Sequence, residues 1–101
     1  MYGTIAQLRV RAGMEGTLEA LMEGQRMRHR DIPGHLMSCV LRSDADPNEY
    51  WLVALFTDRE SYIRNADSPE QDEEYQMLRS VLESDPIWHD GEVVYTDTGR
   101  T

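Results

Sequence analysis

The chain contains no lysine, and all ten of its basic residues are arginine. Schiff-base chemistry through a lysine amine is therefore excluded, as is a P-loop, whose lysine reaches the nucleotide phosphates. Cysteine is nearly as scarce. Cys39 stands alone, so no internal disulfide, thiol pair or cysteine-rich metal centre can form. It lies in an apolar run and is expected to be a small core residue. No apolar run approaches the roughly 20 residues that a bilayer-spanning helix requires. Positive charge is short as well: 10 basic residues against 19 acidic leave a net charge of −9. Nucleic acid requires a clustered basic face, so neither nucleic acid nor a membrane is an expected partner. The opening "MYGTIAQLRV" alternates and carries an arginine, unlike a signal or transit peptide. The cytoplasm is the expected compartment.

What is present describes one domain. A length of 101 residues with 40% hydrophobic and 29% charged residues matches an ordinary globular unit with little apolar surface to spare. The stretch "GTIAQLRVR" alternates, with Ala6, Leu8 and Val10 on one side and Gln7, Arg9 and Arg11 on the other. That period marks a strand with one face in a core. From Met14 the apolar residues fall at Met14, Leu18, Leu21 and Met22, a helical stripe that "DIPG" stops. Two further strands, "HLMSCVLR" and "EYWLVALFT", flank the turn "SDADPN" and read as a hairpin. Thr57 with Glu60 suggests a capping box for a helix beginning near Asp58. Ser68, Pro69 and Gln71 supply a second helix start. The stripe Tyr75, Leu78, Val81 and Leu82 continues to Pro86, and "GEVVYTD" is expected to be the last strand.

The order β-α-β-β-α-β is that of a ferredoxin-like α+β unit: a four-stranded antiparallel sheet with both helices on one face. Its middle strands are apolar on both sides. Tyr50, Leu52, Ala54 and Phe56 alternate with Trp51, Val53 and Leu55, and the preceding strand repeats the pattern. Two helices cover only one face, and soluble monomers avoid leaving the other as a contiguous apolar patch. A homodimer with two sheets packed face to face is expected.

These features carry a resemblance to a known family. The strand ending in "RVRAG", the helix closing on "DIPGHL" and the run "LRSDADPNEYWLVALFTDRESYIRNADSP" resemble the antibiotic biosynthesis monooxygenase domain of the dimeric α/β-barrel superfamily. The resemblance extends from about Tyr2 to Thr96 and implies that residues 1–101 form a single such domain. It also implies an oxidoreductase that oxidises aromatic, quinol or anthrone-like molecules with O2 and no cofactor, neither metal nor flavin. Other members of the superfamily break down haem or process signalling molecules. Such chemistry requires an apolar pocket, donors near a developing oxyanion and a proton acceptor.

The resemblance places the pocket between the sheet and the helices. Aligned on Ser68-Pro69, the family's usual His, or the Trp of its haem-degrading branch, falls on Asn65. That branch's strand-one Asn falls on Ala6 and its axial His on Tyr75, so haem degradation is disfavoured. The usual Glu and Trp late in the third strand fall on Ala54 and Phe56. Asn65, Tyr75 and Arg64 are the candidate catalytic residues, and Trp51, Tyr62, His35 and Phe56 the candidate substrate contacts. Each has a plainer reading. Asn65 could end a helix, Arg64 and His29 could be solvated, and Trp51 could pack a core or a dimer. No histidine has a ligating partner four residues on, and "EQDEE" reads as a solvated face, so no metal site is expected. Two alternatives stay open: a non-catalytic dimeric module that binds a small ligand, and an isomerase or cyclase on the same barrel.

Overall fold

The computed structural model describes residues 1–99. β1 (Tyr2–Arg9) is followed by α1 (Glu15–Arg30), β2 (His35–Arg42) and β3 (Glu49–Phe56), then α2 (Arg59–Ala66), α3 (Pro69–Ser80) and β4 (Ile87–Glu92). The strands form one antiparallel sheet in the order β2-β3-β1-β4. β1 lies inside, paired with β3 from Tyr2–Phe56 to Arg9–Glu49 and with β4 from Tyr2–Glu92 to Gln7–Ile87. The expected α+β, ferredoxin-like arrangement is the one observed.

The alternation in β1 decides which face is the core. Ala6, Leu8 and Val10 are fully buried and pack with Leu18 of α1, Tyr50 of β3, and Val81 and Leu82 after α3. Burying aliphatic side chains of this kind contributes about 1.5–3 kcal/mol each relative to exposure. Met14, Leu21 and Met22 complete the α1 stripe against that cluster. The opposite face of the sheet carries no helix. It presents Ile5, Met37, Leu41 and Ile87, all exposed, together with Trp51, Val53 and Leu55. Cys39 lies on this face and is exposed, contrary to the core position expected from its apolar run.

Ser68 starts a separate helix as expected, so the helical stretch after β3 is α2 and α3, and the second helix of the β-α-β-β-α-β order is two. Two local expectations are corrected. The N-cap of α2 is Asp58, whose side chain accepts the Ser61 backbone N–H at 2.7 Å, in place of the Thr57–Glu60 box. Ser68 caps α3 as expected, accepting from the Gln71 N–H at 3.1 Å with Pro69 in the first turn. The final strand, Ile87–Glu92, starts four residues before "GEVVYTD" and ends five residues before it does. Its ladder with β1 ends where β1 itself ends, at Tyr2–Glu92, with one more bond from Val93 N to Met1 O. Val94 and Tyr95, at 92% and 79% exposure, have β propensity but no strand left to pair with.

Gly34 joins α1 to β2 with φ +82°, and a Cβ there would lie 2.5 Å from Ser61 Cβ. Both the left-handed backbone and the close approach of α2 require glycine. Gly34→Ala is expected to destabilise the domain by about 2 kcal/mol, lowering the melting temperature by roughly 10 °C in a scanning-calorimetry comparison.

Candidate functional site

The helices arch over the sheet without closing on it, leaving a cavity of about 1250 Å³. Its floor is the helix-facing side of all four strands: Thr4 from β1, Val40 from β2, Leu52, Ala54 and Phe56 from β3, and Trp88 and Asp90 from β4. α1 contributes Leu18, Leu21 and Met22, α2 contributes Tyr62 and Asn65, and α3 contributes Tyr75 and Leu78. Each strand residue is there by parity. Thr4, Ala54 and Asp90 are paired across the ladders, as are Ala6, Leu52 and Trp88.

Two polar clusters interrupt this apolar lining. In the first, Glu74 of α3 binds two residues at the end of α1: Arg28 Nε donates to Oε1 at 2.6 Å, and His29 Nε2 lies 3.0 Å from the same oxygen. Arg28 also donates to Gln71 Oε1 at 3.1 Å, and Asn65 Nδ2 donates to that same oxygen at 3.2 Å. The Glu74 side chain is only 12% exposed. Burial works to raise its carboxyl, but Arg28 and His29 outweigh burial and hold it below the ordinary carboxylate range. His29 and Glu74 are thus a half-buried clamp between α1 and α3, where solvated positions were expected.

The second cluster is Tyr62, Asp90 and Thr4. Tyr62 Oη donates to Asp90 Oδ1 at 2.9 Å. Burial, and then the Asp90 bond, push the phenol up to about 12, so it keeps its proton and acts as a donor. The Thr4 hydroxyl near it works in the other direction without making a hydrogen bond of sound geometry.

A row of rings joins the clusters. Tyr62 meets Phe56 edge-on at 5.6 Å, Phe56 meets His35 edge-on at 5.4 Å, and His35 meets His29 at 5.7 Å. Such spacings lie within the favourable range for tilted and edge-on ring pairs. Burial first, and the neighbouring His29 second, lower the His35 pKa below its usual 6.5. Its neutral form is therefore favoured, with Nε2 placed 2.8 Å from Ser38 Oγ.

Of the residues selected from sequence, Asn65, Tyr75, Tyr62, His35 and Phe56 all line the cavity. Arg64 does not; it borders a separate hollow of about 280 Å³ beside Ile32 and Pro33, because α2 turns that side away from the sheet. Trp51 is on the uncovered face, paired with Gln7 and Leu41, so strand parity removes it from this cavity. Asn65 both ends α2, its carbonyl accepting from Ser68 N and Oγ, and reaches the cavity. Thr4, Asp90, Gln71 and Glu74 were missed. Strand parity could have found Thr4, which shares the Ala6–Leu8 face; Asp90 lies ahead of the expected last strand, so parity gave no signal for it. The Arg28–Glu74 contact joins residues 46 positions apart and left no local signal.

The model of the antibiotic biosynthesis monooxygenase family matches residues 1–73. The chain belongs to the antibiotic biosynthesis monooxygenase family. Among solved structures it is similar to SnoaB, a cofactor-independent oxygenase from Streptomyces nogalater, with 18% identity, 94% of each chain covered and a TM-score of 0.80. A Bordetella bronchiseptica protein, provisionally described as an antibiotic biosynthesis monooxygenase, superposes with 21% identity over 93% of this chain and 97% of that one, at a TM-score of 0.81. A conserved protein from Methanosarcina mazei shares 13% identity over 89% of each chain, at a TM-score of 0.80. At these identities the superpositions speak for the fold. No curated protein matches the sequence. Among the described residues, no helix is long and apolar enough to cross a membrane. The matched family segment stops before Glu74, Tyr75, Trp88 and Asp90, so these cavity residues are read from this chain's own geometry.

The two titrating groups set an acid response. His35, lowered in the folded state, favours folding fully above the unfolded value of 6.5 and loses that contribution as pH falls below it. Glu74, also lowered, contributes above its unfolded 4.5 and loses that as pH falls through its folded value. Thermal melts are expected to show stability declining below about pH 6.5 and again below about pH 4.5. Glu74→Gln should reduce the second decline without abolishing it, since Asp46 and Asp58 are also held low by their hydrogen bonds, and the first decline should persist.

Proposed function

We propose that this chain is a cofactor-independent monooxygenase acting as a homodimer on an aromatic, quinol or anthrone-like molecule. The observation that supports this reading is the half-open apolar cavity, in which a neutral imidazole, an amide and phenols edge a row of rings. An activated methylene or hydroxyl loses a proton to His35, and the resulting carbanion or phenolate passes electrons to O2. The peroxide formed on carbon takes back a proton; loss of the remaining proton on that carbon then breaks the O–O bond, one oxygen staying as a carbonyl and the other leaving as water. The substrate carbon, oxidised to a carbonyl, supplies all four electrons that O2 takes up. Asn65 keeps one amide N–H beyond the bond to Gln71, and Tyr75 has a hydroxyl; both stabilise the oxyanion as donors.

A second reading, a non-catalytic ligand-binding module, is favoured by Ala54 and Phe56. They make the β3 floor apolar where a glutamate would serve as acid or base. Ligand-induced thermal stabilisation without turnover would support it, whereas anaerobic turnover would indicate an isomerase or cyclase. For the monooxygenase, O2 uptake with anthrone- or hydroquinone-type substrates is expected to exceed that of heat-inactivated protein. Asn65→Leu or Tyr75→Phe should slow it at least ~10-fold. Uptake equal to the inactivated control would refute the proposal.

The dimer rests on the uncovered sheet face. Ile5, Val53 and Cys39 are register partners at its centre, flanked by Leu41, Leu55, Trp51 and Ile87. A second copy laid on this face removes an apolar patch that a monomer would expose. Light scattering should give a mass near twice 11.7 kDa, and Val53→Arg should yield monomers. A wild-type monomer at micromolar concentration would overturn the assembly.

A further inference from the structure

Among the described residues, one buried polar side-chain atom has no hydrogen-bond partner: Thr4 Oγ1. Thr4 is 4% exposed and lines the cavity. A buried hydroxyl with nothing to bond is unfavourable, and native proteins retain few of them. Valine would suit the apolar alternation of β1 equally well and carry no such penalty; the nearby Tyr62 phenol makes no hydrogen bond of sound geometry with the hydroxyl, which leaves it for something the cavity receives.

The surroundings define what that is. Asp90 is the register partner of Thr4 across the β1–β4 ladder, so the two side chains rise side by side from the same face. Asp90 Oδ1 is occupied by the Tyr62 proton, which leaves Oδ2 as an acceptor. The Thr4 hydroxyl can donate one hydrogen bond and accept others. An incoming carbonyl or ether oxygen could satisfy Thr4 but would set its lone pairs against the carboxylate. A carboxylate or phosphate would meet like charge. A hydroxyl satisfies both residues at once.

We propose that Thr4 and Asp90 together bind a hydroxyl group on the ring of the ligand, its O–H donating to Asp90 Oδ2 and its oxygen accepting from Thr4 Oγ1. Tyr62 holds the carboxylate in place from α2. Trp88, the partner of Ala6 on the same face, lies along the cavity beside this pair and offers its indole to the ring that bears the hydroxyl. The pair thus selects ring hydroxyls over ring ethers and ring acids. This assignment deepens the reading of the cavity as an aromatic-binding site and rests on it.

The test compares 2-naphthol with 2-methoxynaphthalene, which keeps the ring and the oxygen but has no proton to donate. Calorimetric titration is expected to show 2-naphthol binding at least ~10-fold more tightly. Thr4→Val and Asp90→Asn should each weaken 2-naphthol by about 10-fold and leave 2-methoxynaphthalene within about two-fold. Thr4→Ser should retain the preference. Without ligand, Thr4→Val should melt roughly 5 °C higher, since it removes an unsatisfied hydroxyl. Equal affinities for the two probes, equal weakening of both by the variants, or a lower melting temperature for Thr4→Val would each overturn the assignment while leaving the aromatic site intact. Binding of neither probe would remove the aromatic site itself, and this assignment with it.

Discussion

β1 is paired along both edges, and the rest of the molecule depends on that double ladder. A strand hydrogen-bonded on both sides has its side-chain parity locked, because a slip of one residue would turn Ala6 and Leu8 out and Ile5 and Arg9 in. With parity locked, β3 and β4 must present Leu52, Ala54, Phe56, Trp88 and Asp90 on the face that the helices cover. The core and the cavity floor are consequently two regions of one surface. Where Leu18, Val81 and Leu82 press down, that surface is closed. Toward Thr4 and Phe56 only Tyr62 of α2 comes down to the sheet, edge-on to Phe56 and bonded to Asp90, and the cavity opens around it.

The helical layer is kept at its distance by polar groups. Arg28, His29, Gln71 and Glu74 tie the end of α1 to α3 above the open part of the sheet. An apolar contact there would draw the helices down onto the floor. A half-buried ion pair with its hydrogen bonds met holds the two helices while leaving room beneath. The net stability of such a pair is small once desolvation is counted, so its importance here is geometric. Asn65 is held by Gln71 in the same network, which links the end of α2 to the clamp.

Much of this was legible in the chain, and the exceptions share a cause. β2 was expected at residues 35–42 and lies there, because the apolar run is bounded by Gly34 and by an Asp- and Pro-containing turn. The α3 cap at Ser68 was legible because capping depends on three neighbouring residues. β4 was misplaced because Val93, Val94 and Tyr95 have stronger intrinsic β preference than "IWHDGE", yet the available partner ends at Met1. Trp51 was selected for the site on residue type alone, whereas its parity with Gln7 and Leu41 sends it to the other face. Glu74 was read as solvated because it ends the acidic run with Glu70, Asp72 and Glu73, and the distant Arg28 that buries it leaves no local trace.

The sequence by itself determined the elements, their order and the fold class, since periodicity, caps and turn residues act over a few neighbouring positions. It also ruled out lysine chemistry and an internal disulfide, since the chain has no lysine and a single cysteine. Only the tertiary structure decided which side chains meet: Thr4 with Asp90 through a ladder spanning most of the chain, and His29 with Glu74 across two helices. A cavity is the space that packing leaves unfilled, and that space depends on every element at once.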